Sequence, residues 1–238
     1  MIPVHAKGHK GPGTILRIMT VQMRIDVYSD TVCPWCFLGK RRFELALKER
    51  PHYEPRVTWR PFELNPDMPW EGMERAAYLI AKIGDPARVV ALEDALTRHG
   101  ESIGLKFRFD LIERMPNSRR SHLLIAHAAR HGLQAKIKDR VMQAYFQEGV
   151  DIGDLEELVR LGVEGGLSEH ETRSALVLRE GQDGIVAAER HAAALGISAV
   201  PTLIFDGQYT LSGAQEPSNL ARVLDQVAGL AAAREAAP

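Results

Sequence analysis

Alternating apolar and polar positions mark strands near both ends of the chain. Val57 and Trp59 alternate with polar neighbours, a period of two that is typical of a half-buried strand. Asp206-Gly207 lies between two short apolar segments and predicts a tight hairpin turn. By these signals, together with β-branched and aromatic enrichment, strands are predicted over residues 24–28, 56–62, 202–205 and 209–211.

Apolar positions between these strands recur at helical spacing. Phe43 and Leu47 lie four apart after the first strand and predict a helix there. From about residue 72 to residue 194 no segment favours a strand over a helix. Helices are predicted over 88–99, 121–131, 136–147 and 185–195, with further starts at Asp154, Ser168 and Pro217.

Both cysteines of the chain lie in one segment, Cys33-Pro34-Trp35-Cys36, between the first strand and the first helix. The unpaired N–H groups and the dipole of a helix N-terminus stabilise a thiolate, and Pro34 suits the first helical turn. We therefore expect the pKa of Cys33 to fall from about 8.5 to roughly 3.5–7.5. Cys33 is expected to be the exposed thiolate that attacks a disulfide, and Cys36 is expected to resolve the mixed disulfide.

Half of a zinc site is the alternative interpretation of the pair. Tetrahedral zinc takes about four ligands, and the chain has no second cysteine pair to supply them. Redox chemistry without a metal is therefore favoured. His127 and His131 lie four apart on one predicted helical face, with His122 one turn earlier. A metal site there would need a further ligand, so a solvated or partly buried face is favoured.

Composition narrows the classes of partner. The 238 residues carry a formal net charge of −1, with 45% hydrophobic and 26% charged residues, which is ordinary for a globular protein. Neither nucleic acid nor a membrane is expected as a partner, since no apolar run approaches the ~18–20 residues of a membrane span. The short basic runs 40–42 and 119–120 are interpreted as solvated.

Residues 1–22 are predicted to form a disordered tail, because they are rich in His, Lys, Gly and Pro. They lack the apolar core of about 7–15 residues that a signal peptide needs. With no spare cysteine for a structural disulfide, the expected location is the cytoplasm.

Three further residues bear on the cysteine pair. Pro201 precedes a predicted strand; because proline cannot donate to a sheet, it should occupy the first strand residue or a special turn. Asp30, three residues before Cys33, either assists proton transfer from Cys36 or bonds nearby backbone N–H groups; the second role is favoured. Asp26, on the first predicted strand, is the other acid that could assist proton transfer from Cys36.

The segments 33–43 and 200–202, with Ser212-Gly213-Ala214-Gln215, resemble the DsbA family of thiol–disulfide oxidoreductases, specifically its cytoplasmic FrnE-like branch. The resemblance extends from Met23 to about Val227. It implies a cis bond before Pro201, which offers the backbone groups of Val200 to a bound peptide beside the cysteines. It also implies a dithiol that cycles with disulfides in proteins, peptides or small thiols such as glutathione, with no other cofactor.

The order of the predicted elements, taken together with the cysteine pair, predicts an α/β fold class. It is a thioredoxin-like fold with a large helical domain inserted between its β-α-β and β-β-α halves. The thioredoxin-like domain is assigned to residues 23–66 and 196–232, and the insertion to residues 67–195.

Trp35 is a departure, because the best-studied periplasmic relatives have His at that position. We expect a less acidic Cys33 and a less oxidising disulfide in consequence. Two alternatives remain open. Glutathione-dependent isomerases and transferases of the same fold use Ser at the position of Cys33 and an Asp-Arg-like pair where this chain has Ala214-Gln215. The other alternative is a non-redox, chaperone-like binding module; substrate and oligomeric state are not predicted.

Overall fold

The structure is a computed structural model that describes residues 21–235. In chain order its elements are β1 (Val21–Ser29), α1 (Pro34–Lys48), β2 (Tyr53–Pro61), β3 (Met73–Glu74), α2 (Arg75–Ile83), α3 (Pro86–Glu101), β4 (Arg114–Met115), α4 (Arg119–Ala129), α5 (Gln134–Glu148), α6 (Leu155–Glu164), α7 (Glu169–Val177), α8 (Gln182–Ala194), β5 (Thr202–Phe205), β6 (Tyr209–Ser212) and α9 (Pro217–Glu235). The predicted tail, residues 1–22, lies outside the described residues except for its last two, which begin β1.

A four-stranded sheet has the order β2-β1-β5-β6. Strand β1 runs parallel to β2, with Ile25 opposite Val57, and antiparallel to β5, with Ile25 opposite Phe205. Strands β5 and β6 form the predicted hairpin, since Asp206 and Gly207 have φ values of 48° and 71°. These are the left-handed conformations that a tight hairpin turn requires.

Helices α1 and α9 pack on the sheet, and their apolar side chains form one buried cluster with it. Phe43 of α1, Leu224 of α9, and Ile25 and Phe205 of the sheet belong to this cluster. The thioredoxin-like fold with its helical insertion is therefore confirmed, since helices α2–α8 all lie between β2 and β5.

The helical block holds two features that the sequence did not predict. Strands β3 and β4 pair antiparallel, with Met73 opposite Met115, but two residues each are too few to show an alternating pattern. The N-cap residue of α2 is Glu74, whose carboxylate accepts the N–H groups of Ala76 and Ala77. Glu is not among the preferred N-cap residues, so the usual start signal was absent.

The core of the helical block continues beneath the cysteine pair. Cys36 and Phe37 belong to the same buried cluster as residues of α4, α5 and α6, and Phe37 stacks on Phe146 at 5.5 Å between ring centroids. This cluster joins α1 to the insertion. The division of the chain at residues 66 and 196 stays a prediction. Within the described part of the chain, no helix is both long and apolar enough to span a membrane.

Candidate active site

Cys33 is the N-cap residue of α1, with extended backbone angles (φ −89°, ψ 113°). Its carbonyl accepts the N–H groups of Cys36 and Phe37 at 3.0 and 3.2 Å, which closes the first turn. Pro34 occupies the first turn, where no N–H is needed. Both cysteines are free thiols, and they lie one turn apart.

Burial of the pair contradicts one expectation. Cys33 is 4% exposed and Cys36 is 1% exposed, so Cys33 is not the exposed thiol that the sequence predicted. The hydrogen bond to Cys36 and burial raise the pKa of the Cys33 thiol well above its usual value, and the charge of Asp30 acts in the same direction. The predicted lowering of this pKa is wrong, because the partner thiol and desolvation outweigh the helix N-terminus.

Val200 and Pro201 form the wall that faces Cys33. The Cys33 Sγ atom lies 3.8 Å from the carbonyl oxygen of Val200, and the Val200–Pro201 peptide bond is cis. A Cβ atom built on Gly39 of α1 would lie 2.9 Å from Cγ of Pro201. The absence of a side chain at Gly39 therefore lets this wall pack directly on the cysteine helix.

Asp30 is fully buried behind the cysteine pair. Its carboxylate accepts the N–H of Leu64 at 2.7 Å and contacts Nε2 of His122 at 3.3 Å. Burial by itself would raise the pKa of Asp30, but the hydrogen bond and charge of His122, with the Leu64 amide, hold it below its ordinary value. The rival acid, Asp26, instead pairs with Arg60 at 2.7 Å.

Lys138 of α5 is a candidate that sequence reasoning missed. Its side chain is buried, and its Nζ atom lies 5.2 Å from the centroid of the Trp59 ring. Burial lowers its pKa to about 8, while the charges of Cys36 and Asp30 act against that shift. No local signal identifies it, because a lysine within a polar stretch of a helix is normally solvated.

An apolar cavity of about 190 Å³ opens beside Cys33. Tyr78, Leu96 and Phe109 are among its lining residues, and Trp35 lies on it with its ring 6.1 Å from that of His99. A cavity of roughly 150 Å³ is enough to hold benzene. The space beside the Cys33 sulfur therefore has room for one large apolar side chain.

His122 and His127 of α4 and His131 in the turn after it do not form one site. His122 contacts Asp30, whereas the rings of His127 and His131 lie 4.9 Å apart at the other end of the helix. Within residues 21–235, no group of three or more His, Cys, Asp or Glu side chains is placed to hold a metal ion.

This chain is similar to known proteins over most of its length. A family model described as a DSBA-like thioredoxin domain matches residues 24–225. The uncharacterized protein YwbO of Bacillus subtilis (strain 168) is 34% identical over 197 residues, which cover 82% of this chain and 92% of that protein. The residues matched by the family model include the cysteine pair, the helical block and the Val200–Pro201 wall.

Solved structures show the same likeness. The probable DsbA oxidoreductase SCO1869 from Streptomyces coelicolor has 33% identity and a TM-score of 0.80, covering 87% of this chain and 90% of that chain. The cytosolic disulfide reductase DsbM from Pseudomonas aeruginosa has 21% identity and a TM-score of 0.62, with 87% and 99% covered. The structure of DsbM with GSH gives a TM-score of 0.61.

Proposed function

The chain belongs to the family of DSBA-like thioredoxin domains, and from this premise we propose that it is a thiol–disulfide oxidoreductase that cycles Cys33 and Cys36. One observation carries the proposal. The Cys33 sulfur lies at the N-terminus of α1, 3.8 Å from the Val200 carbonyl, with the Cys36 thiol one turn further along the helix. A sulfur in this position can exchange with a disulfide whose backbone lies against Val200.

The reaction transfers two electrons. Cys33, as a thiolate, attacks one sulfur of the substrate disulfide, and the other substrate sulfur leaves as a thiolate. Cys36, as a thiolate, then attacks the Cys33 sulfur, so that the Cys33–Cys36 bond forms and the second substrate thiolate leaves. The enzyme dithiol is oxidised, the substrate is reduced to two thiols, and the two enzyme protons balance the two thiolates. The reverse sequence oxidises a substrate dithiol.

Protein and peptide disulfides are the substrates that this geometry favours. A peptide chain paired with the Val200 backbone would extend past the apolar cavity, which would take one of its large side chains. Glutathione is proposed as the small-thiol co-substrate, by analogy with DsbM, whose structure with GSH shares the fold. Assignment to the FrnE-like branch and to the cytoplasm belongs to the same proposal; the sequence has no cysteine beyond this pair for a structural disulfide, which agrees with a reducing compartment.

Insulin reduction and reoxidation of reduced ribonuclease test the proposal directly. Cys33→Ser should abolish both activities while leaving the thermal unfolding curve in place. Cys36→Ser should accumulate a mixed disulfide on Cys33, visible by mass spectrometry as an adduct of one substrate or glutathionyl group. Wild-type activity in a folded Cys33→Ser protein would overturn the proposal. Suppression of protein aggregation that survives this substitution would then support the binding-module alternative.

A further inference from the structure

Arg42 is a charged side chain of α1 that the fold has buried, six residues beyond Cys36 in the chain. Its Nη2 atom lies 2.5 Å from a carboxylate oxygen of Glu216 and 3.3 Å from Nδ1 of His99. A guanidinium has donors only, so Nδ1 of His99 accepts this hydrogen bond. Glu216 lies just before α9 and His99 lies in α3, so two distant segments fix the orientation of the guanidinium.

The other terminal nitrogen of Arg42 bonds to the loop after β6. Its Nη1 atom donates to the carbonyl oxygen of Ala214 at 2.6 Å. One residue earlier in this loop, the Gly213 N–H donates to the carbonyl oxygen of Pro201 at 2.8 Å. Two hydrogen bonds and one short loop therefore connect Arg42 to the wall that faces Cys33.

Stability alone does not account for a charge at this position. The Nε–H group of Arg42 is buried and has no hydrogen-bond partner among residues 21–235. A buried donor without a partner has lost its bonds to water and gained none in the protein. Replacing a buried ion pair by well-packed apolar side chains is often neutral or stabilising. The contacts of the guanidinium with the loop are therefore the feature that requires an explanation.

The Val200–Pro201 wall is where a substrate would bind in the proposed reaction. The Val200 carbonyl oxygen lies 3.8 Å from the Cys33 sulfur, and a peptide paired with the Val200 backbone would bring its disulfide to that sulfur. The hydrogen bond from Gly213 reaches the next residue, Pro201, so it fixes where the Val200 backbone lies. Exchange needs the reacting sulfurs to be aligned, and a misplacement of about 1 Å can cost about 10²-fold in rate.

Resting on the proposed function, we infer that Arg42 is a positioning residue, which holds the Val200–Pro201 wall at the distance from Cys33 that a bound peptide disulfide requires. It acts by way of the two hydrogen bonds that connect the guanidinium to this wall through the loop after β6. Arg42 takes no part in the transfer of electrons or protons. A disulfide too small to pair with Val200 should therefore react with Cys33 equally well when Arg42 is replaced.

Two mixed disulfides that release the same coloured aryl thiolate separate positioning from reactivity. In the first, the aryl thiol is joined to the cysteine of a short peptide that has phenylalanine beside that cysteine. In the second, the aryl thiol is joined to mercaptoethanol. Rapid mixing with the reduced protein measures the release of the aryl thiolate, which is the better leaving group in both compounds.

The wild type should react faster with the peptide disulfide, because only the peptide can pair with the Val200 backbone. In Arg42→Met the rate with the peptide should fall by at least about tenfold, whereas the rate with the small disulfide should stay within about twofold. Arg42→Lys keeps a positive charge, but one ammonium cannot reproduce the planar fork that contacts all three partners. It should therefore lose rate with the peptide in the same way, and it serves as the test if Arg42→Met fails to fold.

Arg41→Met is the matched control, since Arg41 is partly exposed and pairs with Glu44 on the same helix. It should keep both wild-type rates. A wild type that does not prefer the peptide, or a wild-type peptide rate in folded Arg42→Met or Arg42→Lys, would overturn the inference. Equal slowing with both disulfides would also overturn it, because Arg42 would then act on the Cys33 thiolate rather than on the wall. Wild-type rates with both disulfides in Cys33→Ser would overturn the proposed function instead.

Discussion

The Oδ1 atom of Asp30 lies 3.3 Å from Nε2 of His122, although 92 residues separate them in the chain. Beside this buried contact, the hydroxyls of Thr31 and Ser121 are 2.7 Å apart. The turn that leads into Cys33 is thus bonded to α4 of the helical insertion as well as to the sheet. The position of the cysteine pair therefore depends on the insertion.

Replacement of Asp30 by Asn tests this connection. Asn can still accept the Leu64 N–H but carries no charge opposite His122, so we expect a loss of roughly 1–3 kcal/mol in unfolding free energy at pH 7. Because the folded-state pKa of Asp30 is lowered, its contribution is present above the ordinary pKa of about 3.9 and is lost as the pH falls through the lowered value. Urea denaturation at neutral pH and at about pH 3 measures both effects.

Asp26→Asn is the matched control, since Asp26 pairs with the half-exposed Arg60 at the surface of the sheet. It should change the unfolding free energy at pH 7 by less than about 1 kcal/mol. An Asp30→Asn protein that is as stable as the wild type at pH 7 would contradict the structural role given to the Asp30–His122 contact.

Trp35→His should make the disulfide more oxidising. A histidine between the cysteines can donate a hydrogen bond or a positive charge to the Cys33 thiolate, which stabilises the reduced form. Each 1.4 kcal/mol of such stabilisation raises the reduction potential by about 30 mV. Redox titration against glutathione should give a wild-type potential more negative than the roughly −120 mV of the strongly oxidising DsbA, and a less negative value for the variant.

Trp35→Phe is the control, because it keeps an aromatic ring on the cavity without adding a donor. Its potential should match that of the wild type. Equal potentials for Trp35→His and the wild type would show that the residue at this position does not set the redox poise.

Gly39→Ala should disturb the wall that faces Cys33. The added Cβ would lie 2.9 Å from Cγ of Pro201 and 3.4 Å from Cα of Ala214, and neither a proline ring nor a backbone atom can swing aside. We expect a loss of about 1–3 kcal/mol in stability and slower insulin reduction. Gly184→Ala in α8, whose Cβ would meet nothing within 4 Å, should instead stabilise by roughly 0.5–1 kcal/mol. Unchanged activity in Gly39→Ala would contradict the role of this close approach.

Features set by neighbouring residues were predictable from the sequence. The side chains of Asp154 and Ser168 cap α6 and α7 as expected, accepting the N–H groups of Glu157 and Glu171. The hairpin at Asp206-Gly207 likewise follows from two adjacent residues that adopt left-handed angles.

Charges that the fold buries were not predictable, because their partners come from distant segments. The basic run 40–42 was interpreted as solvated, yet Lys40 pairs with Asp139 at 2.5 Å and Arg42 donates to the Ala214 carbonyl at 2.6 Å. Both side chains are buried. The same holds for Lys138 and for the partner of Asp30, since helical periodicity identifies a polar face but not what covers it.

A carboxylate beside a buried ion pair supplies a further test. Arg119 pairs with Glu63 at 2.5 Å, and Glu189 of α8 lies near enough for both of their charges to act on it. Burial, followed by the negative charge of Glu63, raises the pKa of Glu189 to about 7 from an ordinary 4.5, while Arg119 acts against that shift. The folded protein therefore binds this proton more tightly than the unfolded chain does.

Glu189→Gln should consequently change how stability depends on pH. A raised carboxyl pKa contributes stability below the unfolded pKa, and this contribution declines as the pH rises from about 4.5 to about 7. The melting temperature of the variant should equal that of the wild type near pH 4.5 and exceed it near pH 8, because the glutamine never acquires the charge that Glu63 repels. Glu63→Gln removes the direct partner of Arg119 and should lower the melting temperature near pH 8. A Glu189→Gln difference that is the same at both pH values would show that Glu189 is not protonated more readily in the folded state.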